Sequence, residues 1–136
     1  MARKDDIEIA VAEVVDYLRI TGGFAPALRE VLGRKVAADA ARKSGLKVSA
    51  KELQRAADAF RVANGLKKAG DTEAWLKGNG ISLDALESFL ETSLLIAKLK
   101  DALEKKTPKR KYLATPGVRE SIREMIYQDW LAKALA

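Results

Sequence analysis

Histidine and cysteine are both absent from this chain of 136 residues, and the two absences remove most of the chemistry available to a small protein. There is no Ser-His-Asp or Cys-His arrangement, and no side chain whose ordinary pKa lies near neutrality. The ligand types that bind zinc or iron strongly are missing too. Disulfides are excluded, although that says nothing about the compartment. No apolar run approaches the roughly 20 residues that cross a bilayer. The opening MARKDDIEIA meets acids where a secretory signal would need an apolar stretch, so a cytoplasmic location is the expectation. Gly78-Asn79-Gly80 lacks the lysine and the following Ser or Thr of a phosphate-binding loop and reads as a helix stop. The acids Asp5, Asp6 and Glu8 suit the start of a helix without any bound cation. The expectation is a chain that is not an enzyme and that carries no catalytic residue, metal or cofactor.

What remains is the composition of a folded domain. Hydrophobic residues make up 48% and charged residues 32%, enough for one globular domain with a real core. The net charge of +6 is concentrated: the segment KKTPKRK, residues 105–111, carries five bases and no acid, leaving 20 bases and 19 acids elsewhere. A nucleic-acid interface spreads its bases along a folded face among groups that read or stack on nucleotides. One short cluster reads instead as a solvated linker, 106–115, between the helices of 1–105 and a last helix in 116–136.

Punctuation divides the chain into six helices. The first is expected over about 6–20, with Ile7, Val11, Val14, Val15 and Leu18 on one face and Gly22-Gly23 as its stop. The second begins near Pro26, which suits a first turn because it has no N–H to leave unpaired, and presents Leu28, Val31, Leu32 and Val36 before ending at Ser44-Gly45. Ser49-Ala-Lys-Glu52 is a capping box for the third, which Asn64-Gly65 closes. A short fourth helix spans about 71–77. Ser82 caps a long fifth, to about 105, whose apolar residues from Leu83 to Leu103 occupy more than one face and demand cover on two sides. Thr115-Pro116 caps the sixth, with Val118, Ile122, Met125, Ile126, Trp130 and Leu131. No useful length alternates apolar and polar residues as a strand does. The fold class is therefore all-α, with the last helix folding back onto the preceding ones as one core.

The aromatic residues sit mostly at apolar helix positions, where filling the core accounts for them. The surplus of Leu, Ile and Trp on the last two helices also suits a groove for an extended or helical peptide. Trp75, Phe89, Tyr127 and Trp130 are the candidate groove walls.

The stretches SGLKVSAKELQRAADAFRVANGL, DTEAWLKGNGISLDALESFLE and LIAKLKDAL resemble the helical peptide-binding region of the SurA-like, parvulin-associated chaperones. They are closest to the peptidylprolyl isomerase proteins of peptide-maturation systems. The closing VRESIREMIYQDWLAKAL resembles the C-terminal helix of that family, which returns onto the N-terminal helices. Where the isomerases insert a parvulin domain, this chain has only KKTPKRKYLATPG. The resemblance implies a parvulin-less chaperone or adaptor domain without isomerase activity, binding unfolded or leader-like peptide and serving peptide maturation or export. The alternatives are an assembly domain, a homodimer exchanging its final helix with no peptide client, and a nucleic-acid-associated protein using the linker.

Overall fold

The computed structural model describes residues 2–4, 7–106 and 116–136. Asp5 and Asp6, the linker residues from 107 onward and the Thr115 cap lie outside the described residues. Six helices make the described chain all-α: α1 Val11–Thr21, α2 Phe24–Lys43, α3 Ala50–Ala63, α4 Ala69–Asn79, α5 Leu83–Lys106 and α6 Pro116–Leu135. Ahead of them β1 Ala2–Lys4 and β2 Ile7–Ile9 pair antiparallel, Ala2 opposite Ile9 and Lys4 opposite Ile7.

That hairpin corrects the expected first helix, which starts at Val11 and not near Asp6. Ile7, Glu8 and Ile9 alternate apolar and charged side chains with a period of two, and the stiff β-branched isoleucines favour the pleated conformation. Ile7 also falls at helical spacing from Val11, so the longer pattern concealed the shorter one. Ala10 is extended, and its N–H donates to the Glu13 carboxylate at 3.4 Å to begin α1. Gly22, at φ 83°, ends it in the left-handed conformation that glycine adopts without penalty.

The capping box of α3 is present in both directions. The Glu52 N–H donates to Ser49 Oγ at 3.1 Å, and the Ser49 N–H donates to Glu52 Oε1 at 3.1 Å. Ser82 Oγ accepts the Ala85 N–H at 3.1 Å at the head of α5. Helix α4 is longer than expected, absorbing Gly78 and stopping at Gly80.

The contacts divide into two compact units, Met1–Leu32 and Gly33–Ala136. The second holds the core: Ala37, Ala38 and Ala41 of α2, Leu95, Ile96 and Leu99 of α5, and Tyr127 of α6, bordered by Leu46, Val48, Leu103, Trp130 and Leu131. Within it α5 is covered by α3 and by α6, the two-sided cover that its apolar pattern requires. The buried face of α2 is Gly33, Ala37, Ala38 and Ala41, whereas Leu28, Val31 and Leu32, expected to line it, are exposed. The inward face of α2 is thus its least bulky one, made of glycine and alanine. Ion pairs border the packing. Lys98 meets Glu52 at 2.8 Å, while Lys100 meets Glu124 at 2.8 Å, Arg119 meets Glu104 at 2.7 Å and Arg123 meets Asp101 at 2.6 Å between α5 and α6.

Candidate functional site

The four candidate groove walls fall into three separate packings. Trp75 of α4 is half-buried edge-on against Phe60 of α3, ring centroids 5.3 Å apart. Phe89 of α5 is 52% exposed. The Arg34 guanidinium lies over its ring at 4.4 Å and donates to the Phe89 carbonyl at 3.0 Å and to Ser93 Oγ at 2.9 Å. Tyr127 is 6% exposed and belongs to the core, with Trp130 stacked on it at 6.3 Å and the Lys100 ammonium 4.7 Å from its ring. The structure thus brings Tyr127 and Trp130 together, and it gives Trp75 and Phe89 partners of their own.

Nine of the sixteen large exposed apolar side chains among the described residues belong to the first unit. Across residues 7–32 no side chain is buried. Ile7 and Ile9 of the hairpin, Val11, Val14, Tyr17 and Ile20 of α1, and Leu28, Val31 and Leu32 of α2 are each at least 39% exposed, Tyr17 reaching 66% and Ile20 85%. On α1, Val15 and Leu18 are half-buried, and Gly23 leaves the room that Leu18 uses, since a Cβ there would stand 3.1 Å from Leu18 Cδ2. Val14, Tyr17 and Ile20 succeed one another at intervals of three, so they form a second stripe beside the Val15 and Leu18 side. Leu28, Val31 and Leu32 form a third, at the i, i+3, i+4 spacing of one helix face.

Periodicity had found Val11 and Val14 but assigned them to a core, and it passed over Tyr17 and Ile20. The available signal was the width of the apolar arc of α1, greater than one packed face needs. Nine large exposed apolar side chains within 26 residues exceed the scattered exposure normal for a monomer surface.

The perturbed titratable groups among the described residues all belong to the second unit. The Lys98 ammonium, helped by the Ser49 amide, holds the Glu52 carboxyl at about 2. Arg119 lowers Glu104, and Lys100 with Gln128 lowers Glu124. Each of these carboxylates sits in an ion pair that ties one helix to another, which accounts for its shift structurally. Among the described residues no helix is long and apolar enough to cross a membrane. No protein-family model, curated protein or solved structure matches the chain.

Proposed function

We propose that this chain is a non-catalytic binding domain that buries apolar side chains of unfolded or leader-like peptide, in the manner of the SurA-like chaperone domains it resembles. The observation carrying this reading is that residues 7–32 bury no side chain while exposing nine large apolar ones. A two-stranded hairpin alone is at best marginally stable in water, and an 11-residue helix is as marginal in isolation. Such a segment gains stability when something apolar covers it. Burial of one large side chain contributes roughly 1.5–3 kcal/mol, so a few client residues suffice for reversible association. Contacts of this kind are non-directional and discriminate weakly between sequences, as a chaperone or adaptor requires.

The test is the affinity of a permanently unfolded, labelled polypeptide for the parent chain and for Tyr17→Ser with Ile20→Ser. Weakening by about tenfold or more, with circular dichroism and melting temperature unchanged, is the expected result. Equal binding by both proteins contradicts the reading.

A further inference from the structure

We propose that the segment this surface accepts is cationic as well as apolar; the inference rests on the peptide-binding reading above and names the chemistry of its client. On α1 the exposed stripe is Val14, Tyr17 and Ile20. Glu13 stands four residues before Tyr17, and Asp16 four before Ile20, so each carboxylate lies one turn from an apolar member on the same flank. The opposite flank is the half-buried side of Val15 and Leu18. Arg19, the one base of α1, lies over the Phe24 ring at 4.7 Å. The solvent-facing border of the stripe is therefore carboxylate. At the start of α2, Arg29 and Glu30 offset each other.

The charge of the whole chain is divided in the same sense. By sequence Met1–Leu32 contains four bases and six acids, −2, Asp5 and Asp6 among the latter lying outside the described residues, whereas Gly33–Ala136 contains twenty-one bases and thirteen acids, +8. A second copy pairing through the same surface would bring Glu13 and Asp16 toward their own images, like charge against like, which disfavours that occupant. A peptide whose apolar run is flanked by lysine or arginine offers both the apolar contacts and the complementary charge.

The experiment compares three synthetic peptides that share one apolar run, flanked by lysines, by serines or by glutamates. Each is titrated against the parent chain and against Glu13→Gln with Asp16→Asn. Glutamine keeps an oxygen to accept the Ala10 N–H, so the head of α1 is preserved. The lysine peptide is expected to bind about tenfold more tightly than the glutamate peptide at low salt. That ratio should fall to within about twofold in the variant and at ~0.5 M salt, where charges more than a few Å apart are screened. Equal binding of lysine and glutamate peptides overturns the charge inference while leaving peptide binding standing. Failure of all three peptides to bind removes the reading beneath it as well. A dimer that Tyr17→Ser dissociates also overturns the inference, by assigning the surface to a second copy.

Discussion

Replacing Gly33 by alanine sets two effects of known size against one contact. Gly33 is buried in the interior of α2, where glycine is less favourable than alanine by about 0.5–1 kcal/mol because it surrenders more backbone freedom on folding. The added methyl group also contributes roughly 0.8 kcal/mol if it is removed from water. Opposing these, the new Cβ would lie 3.3 Å from Leu131 Cδ2 and 3.8 Å from Cδ1. The closer distance requires a shift of a few tenths of an ångström. Leu131 is half-buried at the border of the core, and the contact is with the methyl end of its side chain. Leu131 therefore gives way, and Gly33→Ala is expected to stabilise the protein by about 0.5–1 kcal/mol, or ~2–5 °C in melting temperature for a chain of this size. Urea unfolding of the parent and variant provides the assay, with an unchanged slope required for the comparison. In a Leu131→Ala background the gain should be at least as large. Destabilisation by more than ~1 kcal/mol would refute the reasoning, because it would mean that α6 meets α2 in a rigid contact.

Acid should weaken the seams around α5. Glu52, Glu104 and Glu124 have folded pKa values below their ordinary ones, so the folded chain binds fewer protons than the unfolded chain. Their contribution is complete above about pH 4.5 and declines as pH falls, for Glu52 toward about 2. The melting temperature should drop across that window, and Glu104→Gln should flatten the drop; a melting temperature independent of pH there contradicts the ion-pair account. Trp130→Ala should cost roughly 1.5–3 kcal/mol, less than a fully buried indole, since Trp130 is half-buried and stacked on Tyr127. Removing Val118–Ala136 takes Tyr127 from the core, and its expected signature is loss of a cooperative melt.

The heads of α3 and α5 were legible because serine side chains cap them. Ser49 with Glu52 and Ser82 with Ala85 cap where the sequence places them. The two-sided cover of α5 was legible from the spread of its leucines. The hairpin was not, because Ile7 satisfies a period of two and a helical period at once. Nor was the inward face of α2. Leu28, Val31 and Leu32 outrank alanine in hydrophobicity, but the tertiary arrangement buries Ala37, Ala38 and Ala41. The candidate surface was missed for the same reason. Apolar periodicity identifies a face that gains from cover, and what covers it depends on the tertiary arrangement or on a partner. Tyr17 and Ile20 fell outside the stripe that one packed face would use. Among the aromatic candidates, side-chain type did not separate Tyr127, a core residue, from Phe89, an exposed one.

The most direct measurement is amide hydrogen exchange on the full chain, free and with an apolar unfolded peptide at saturation. Backbone amides of residues 7–21 are expected to exchange quickly in the free chain, as a segment without buried side chains should, while Leu95, Ile96 and Leu99 remain protected. Peptide should slow exchange across α1 and the first turns of α2 and leave the core unchanged. Strong protection of residues 7–21 without peptide, or protection by peptide confined to Gly33–Ala136, would contradict the assignment of the binding surface.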